Sequence, residues 1–362
     1  MSTILSNRVQ KVKPSATMAV SDKAKELKSQ GIQIISMGSG EPDFDTPTNI
    51  QKAAIHAIGA GETRYTPADG TAELKKAVCE KFKRENGLDY SANEVMVSCG
   101  GKQVFYNLCQ AILNEGDEVI IPSPYWVSYP DMAILADATP IFIDAGLDQD
   151  FKISPEQLEA SITSKSKLLV LNSPSNPTGS VYSKSEIEAL GVVLERHPNV
   201  FIISDDIYEH IRWGDDEFVN IAMACPKLKD RTVILNGVSK AYAMTGWRIG
   251  YAAGPEAVIK AMKKIQGQST SNPSSISQAA ALEAITGDQS FIKMMVEAFE
   301  RRHEFLVESL NAIDGIECPK MLIQAMLNPN KGLLSNIISH FLGGRWMQAI
   351  CKGVRNNLAN IA

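Results

Sequence analysis

Six short runs of continuous hydrophobic residues alternate with amphipathic helical patterns through the middle of the chain, and this alternation limits the fold more than any other feature. The runs are Val95–Ser98, Glu118–Ile121, Pro140–Ile143, Leu168–Leu171, Val200–Ser204 and Thr232–Leu235. None alternates polar with apolar, so each is expected to be a strand covered on both faces, in a mostly parallel sheet flanked by helices. Helix starts fall between the runs. Ser154–Gln157 and Ser183–Glu186 fit the capping box, and Thr46-Pro47 predicts a hydroxyl cap ahead of a proline at the first helical position. At 362 residues the chain can bury one large α/β domain and a second, smaller one.

Composition narrows the function classes. A charged fraction of 21% and a net charge of −5, with no long block of like charge, give no footprint for nucleic acid or an anionic membrane. No stretch approaches the roughly 18 apolar residues of a membrane span, and residues 1–13 lack the apolar centre of a secretion signal. The cytoplasm is therefore the expected location. The six cysteines form no C-x-x-C pair and have no histidine at metal-ligand spacing, so they read as reduced thiols and no metal is expected.

Ligands of open α/β sheets bind beyond the carboxyl ends of the strands, which makes the residues after each strand the place to look. After the first comes Cys99-Gly-Gly-Lys-Gln103 opening a helix, where backbone N–H groups and the helix dipole suit a phosphate. After the fourth comes Asn172-Ser-Pro-Ser-Asn176-Pro-Thr-Gly179, a rigid turn or a loop that aims asparagines into a site. After the fifth come Asp205 and Asp206, then Tyr208; such an aspartate either caps a helix or meets a cation such as a pyridinium nitrogen. After the sixth comes Asn236-Gly-Val-Ser239-Lys240, with Arg248 further on. A lysine here is placed to form a Schiff base and the arginine to grip a phosphate in two prongs. Singly each residue reads as ordinary loop chemistry; four strand ends supplying matching parts do not.

These segments resemble the class-I aminotransferases of the fold type I pyridoxal 5′-phosphate (PLP) enzymes. Ser239-Lys240 followed by Gly246-x-Arg248-x-Gly250 is similar to their cofactor-attachment motif. Met37-Gly-Ser-Gly40, Arg64-Tyr65-Thr-Pro, Gly100-Gly-Lys-Gln, Pro124-Tyr-Trp126, Asn176-Pro-Thr-Gly and Ser204-Asp205-Asp-Ile-Tyr208 match their other signatures in order, over residues 5–318. The pattern is most like the bacterial and plastid aspartate aminotransferases, some of which use prephenate.

The resemblance implies an α/β fold with a large PLP-binding domain over residues 46–290. An N-terminal arm and small domain would come from 1–45 and 291–362. It implies transfer of the amino group of L-aspartate to 2-oxoglutarate by a ping-pong route, in a homodimer with shared sites. Lys240 would carry the cofactor and shuttle the proton, and Asp205 would hold the ring nitrogen protonated. Tyr208 and Asn176 would bind the ring's phenolic oxygen, and Trp126 would stack on the ring. Gly101, Lys102, Ser239 and Arg248 would surround the phosphate, with Tyr65 reaching the neighbouring subunit's cofactor. Gly40 would contact the substrate carboxylate through its backbone, and Trp126 and Asn176 also face the substrate. Lys102 would serve the distal carboxylate of a small dicarboxylic amino acid or 2-oxo acid.

After Cys318-Pro319 the resemblance stops. The family continues with a strand whose arginine clamps the substrate α-carboxylate, a contact of about 2–5 kcal/mol. The surroundings of Arg345 and Arg355 do not match that strand, and neither is assigned the role. The tail reads as a frameshift, an alternative end or a degraded gene copy. Three functions stay open on sequence alone: an active aminotransferase, a PLP-binding relic or regulator, and a PLP enzyme of different chemistry such as β-elimination.

Overall fold

The computed structural model describes residues 4–14, 16–33, 40–214, 217–312, 314 and 318; the tail beyond 318, with Arg345, Arg355 and Cys351, lies outside them. Seven strands form one sheet: β1 (Val95–Ser98), β2 (Glu118–Ser123), β3 (Thr139–Asp144), β4 (Ser166–Asn172), β5 (Phe201–Asp205), β6 (Thr232–Gly237) and β7 (Gly250–Ala253). Their order is β1-β7-β6-β5-β4-β2-β3. All neighbours pair in parallel except β7, which runs antiparallel to both β1 and β6. The carboxyl ends of the other six strands therefore share one edge of the sheet.

The continuous apolar runs are explained by the layers on either side. Val119 and Ile121 of β2, Leu168 and Val170 of β4, and Val233 and Leu235 of β6 pack on one face. The helices Gly101–Ile112, Ser128–Leu135 and Glu256–Gly267 cover them there. The intervening residues Ile120, Leu169 and Leu171 turn to the other face, against Ile187, Leu190 and Leu194 of the helix Lys184–Arg196. Each such side chain, fully withdrawn from water, stabilises the fold by about 1.5–3 kcal/mol. None of the helices among the described residues is long and apolar enough to cross a membrane.

Three local expectations are corrected. β3 is not covered on both faces: it is an edge strand, Phe142 is 45% exposed, and Pro140 sits where a missing N–H is tolerated. β7 was not anticipated, because Gly-Tyr-Ala-Ala is short and small, and an antiparallel return from β6 needs no crossover helix to announce it. Thr46 does not cap a helix. Pro47 is the N-cap of Thr48–Gly59, while the Thr46 hydroxyl donates to the carbonyl of Ala243 at 2.7 Å and accepts from Trp247 Nε1 at 2.9 Å. Thr46 thus ties the helix start to the loop between β6 and β7. The two capping boxes form as expected.

The same loop is pinned at its far end by close backbone packing. A Cβ on Gly250 would stand 2.4 Å from the backbone nitrogen of Gly101 and 2.5 Å from the Gly100 carbonyl carbon. Neither neighbour is a flexible side chain that could swing away. Gly250→Ala is therefore expected to destabilise the protein by about 1–3 kcal/mol through overpacking, read as a lower midpoint in urea; an unchanged midpoint would refute the contact.

Candidate functional site

β5 ends on Asp205, and the carboxylate is 4% exposed. Its Oδ2 accepts a 2.5 Å hydrogen bond from the hydroxyl of Tyr129, and its Oδ1 accepts from the Ile207 N–H at 3.3 Å. Burial pushes the carboxyl up from 3.8 to about 6, against the pull of Tyr129, the Ile207 amide and the positive charge of Lys240. Of the two alternatives left by the sequence, the helix cap is excluded, since residues 207–210 form a turn and no helix follows Asp205 directly. Next door, at the end of β4, Asn172 donates its Nδ2 to the Asp205 carbonyl at 2.8 Å and to the Pro174 carbonyl at 3.2 Å. Its Oδ1 accepts the Asn176 N–H at 2.7 Å, so one side chain shapes the Asn-Pro loop and fixes it to β5.

Lys240 stands in the loop between β6 and β7. Its Nζ donates to the carbonyl of Gly40 at 2.6 Å and lies 5.7 Å from the centroid of the Tyr208 ring. Burial depresses the ammonium to about 8; Glu41 and Asp205 oppose this, and Arg248 adds to it. An amine this close to neutral pH in its titration is nucleophilic under ordinary conditions.

The next part of the site follows β1. Gly100, at φ 88°, turns the chain from β1 into the helix Gly101–Ile112, so that the helix begins at the strand ends. Arg248, itself left-handed at φ 57°, lays its guanidinium over this turn, with Nη2 3.3 Å from the Cys99 carbonyl and Nη1 2.9 Å from the Thr245 carbonyl. A Cβ on Gly100 would meet Arg248 Nη2 at 2.2 Å, so the glycine makes room for the arginine. Lys102 projects from the same helix start, its ammonium 5.2 Å from the centre of the Trp126 ring. Burial and then Arg248 lower its pKa.

The structure therefore gathers Asp205, Tyr208, Lys240, Gly101, Lys102, Trp126 and Arg248 along one sheet edge. Ser239 is buried beside Lys240, and Gly40 joins the group through its carbonyl. Asn176 is held by its backbone, and Tyr65 stands 91% exposed. Sequence reasoning missed Tyr129, and it read Asn172 only as the first residue of a loop, without a role of its own. The only signals were a tyrosine one helical turn past Trp126 and an asparagine at a strand end.

Residues 32–327 match the family Aminotransferase class I and II. The chain belongs to the class I and II aminotransferases. This family uses PLP, and its members are enzymes acting on small amino and oxo acids. The chain is 59% identical over 314 residues to the aspartate/prephenate aminotransferase of Nitrosomonas europaea, covering 87% of this chain and 79% of that protein. The crystal structure of the aspartate aminotransferase from Rhizobium meliloti superposes with a TM-score of 0.86 at 48% identity, covering 88% of this chain and 80% of that one. The Thermus thermophilus aspartate aminotransferase with maleate gives 0.82 at 46% identity, covering 86% and 81%.

Because folding raises the Asp205 pKa, this group's stabilising contribution is complete below pH 3.8 and is lost as the pH rises through about 6. Tyr129→Phe removes a hydrogen bond to the charged form. It should move the upper edge of that window up by about one pH unit. Unfolding free energy measured against pH, for the protein without added cofactor, checks this; superimposable profiles for the two proteins would rule it out.

Proposed function

We propose that this aminotransferase binds PLP at Lys240 and transfers the amino group of L-aspartate to 2-oxoglutarate. The observation that carries the reading is a half-buried lysine amine and a buried carboxylate brought to one sheet edge, where loss of water depresses the amine to about 8 and raises the carboxyl to about 6. The donor set fits the cofactor at each end. Asp205 offers its negative charge to a protonated ring nitrogen, and Tyr208 a hydroxyl to the ring oxygen. The N–H groups at Gly101, Ser239 and the Arg248 guanidinium offer a phosphate cradle. Trp126 offers a ring face and Asn176 a side-chain amide. When bound, PLP supplies an electron sink for charge developing at the substrate Cα.

The chain's own residues account for the remaining work. The Lys240 amine, with its Nζ held at the same sheet edge, would take a proton from the substrate Cα and carry it at Nζ as general acid and base. Tyr129 and Asn172 keep Asp205 in position while it holds the ring proton. Lys102 places a cation where the distal carboxylate of a dicarboxylic substrate would sit, which agrees with the names of the relatives and with the maleate in the Thermus thermophilus structure. The exposed Tyr65 supports a homodimer in which it reaches the neighbouring site.

Borohydride reduction of the PLP-loaded protein should leave a pyridoxyl group on Lys240 alone, and its rate of covalent capture should climb as the pH rises through about 8. An adduct on another lysine would defeat the assignment. With ¹⁵N-aspartate and 2-oxoglutarate the label should appear in glutamate. Lys102→Gln should raise KM for aspartate about tenfold with little change in kcat. A Lys240 adduct without label transfer would instead mark a PLP-binding protein that does not turn over.

A further inference from the structure

A second polar cluster lies behind the site, on residues to which no role has been given so far. Lys81, on the helix Ala72–Asn86, is 1% exposed, and Glu209, next in sequence to Tyr208, is 5% exposed. The Lys81 ammonium donates to Glu209 Oε1 and, at 2.9 Å, to Asn86 Oδ1. Glu209 Oε2 accepts from Asn86 Nδ2 at 3.1 Å, and Oε1 also accepts from Asn236 Nδ2 at 2.7 Å. Asn236 in turn accepts the Gly237 N–H on its Oδ1 at 2.7 Å. Glu85, Glu209 and His210 have ligand atoms within 4.8 Å of one another, but the Lys81 ammonium already lies 3.5 Å from Glu85 and against Glu209. The cluster is closed by an internal cation rather than open to a metal.

The position of this cluster in the chain gives it a consequence for the reaction. Glu209 lies next to Tyr208 in the turn that follows Asp205; Asn236 precedes the loop that presents Lys240. β5 and β6 pair only as far as Asp205 with Leu235. Beyond that pair the Asp206 N–H to Leu235 carbonyl bond at 2.8 Å is the last main-chain link between the two segments. The Glu209–Asn236 hydrogen bond then joins them through side chains.

Building on the PLP reading above, we propose that the Glu209–Asn236 hydrogen bond is a positioning link that sets Asp205 and Tyr208 in register with Lys240. Lys81 has a different task. It neutralises the buried Glu209 carboxylate, which burial alone would push upward but which Lys81 and His210 hold below the usual range. Register and stability are thus divided between two partners of one carboxylate.

Asn236→Ala breaks the link and leaves every charge in place; Lys81→Met breaks the ion pair and leaves the link. Both are to be compared with wild type as PLP-loaded enzyme below their unfolding temperatures. Asn236→Ala should lower kcat about tenfold or more with KM within about twofold, the signature of lost alignment rather than lost binding. It should also shift the pH at which the visible absorbance of bound PLP changes. Lys81→Met should unfold at lower temperature while keeping kcat within about twofold and the absorbance titration of wild type. If Asn236→Ala is not soluble, Asn236→Ser, too short to reach Glu209, is read the same way. Wild-type kcat and titration in the Asn236 variant would overturn the proposal, as would an equal loss of kcat in folded Lys81→Met. Failure of the wild type to take up PLP would instead count against the cofactor reading.

Discussion

A carboxylate at the end of a buried strand is held there against its solvation, and much of the local structure answers to that constraint. Asp205 has lost water on nearly all sides and recovers only part of the loss from Tyr129 and one backbone amide. The remainder shows as a carboxyl that resists ionisation until about pH 6. A cationic ring nitrogen would relieve it, and so does the ammonium of Lys240, itself depressed by the same lack of water. The two groups are thermodynamically linked. Each makes ionisation of the other easier, and anything that neutralises one changes the other.

Around this pair the supporting structure is arranged by strand ends rather than by any single motif. β4 delivers Asn172, β5 delivers Asp205, β6 delivers the lysine loop, and β1 delivers the glycine turn under Arg248. A parallel sheet brings such residues to one edge although they are far apart in the chain. The side chains that hold the arrangement, Tyr129, Asn172, Thr46, Glu209 and Asn236, are polar groups bonded across elements. Their partners are fixed only when the elements are in place.

That division explains what could be read in advance. β1, β2, β4, β5 and β6 were visible as unbroken apolar runs, because burial on both faces leaves no polar position in the pattern. Asp205, Lys240 and Arg248 were visible because charges at strand ends are unusual enough to need a reason. β7 was hidden by its small residues, and the exposed face of β3 by an apolar composition that an edge strand shares with a central one. Glu209 carried no local signal and Tyr129 only its place one turn past Trp126, since a tyrosine in a helix or a glutamate in a turn is ordinary until its partner is known. Thr46 was misassigned because a threonine before a proline satisfies a local rule, and a tertiary bond claimed the hydroxyl first.

The antiparallel β7 has a further consequence, for the order in which the molecule can be assembled. β1 touches the sheet only through β7, so residues 95–98 find their hydrogen-bonding partner only when residues 250–253 arrive. On a ribosome, which extends the chain from its N-terminus, the first strand made must wait for the last. The pairing is among the most distant in sequence that the sheet contains, and closures of that kind form slowly. Until it forms, Arg248 has no glycine turn to cover and the lysine loop has only one fixed end. A nascent or partly opened chain therefore lacks the finished turn beneath Arg248, and the edge that gathers Lys240 and Arg248 is complete only once the first and last strands have paired.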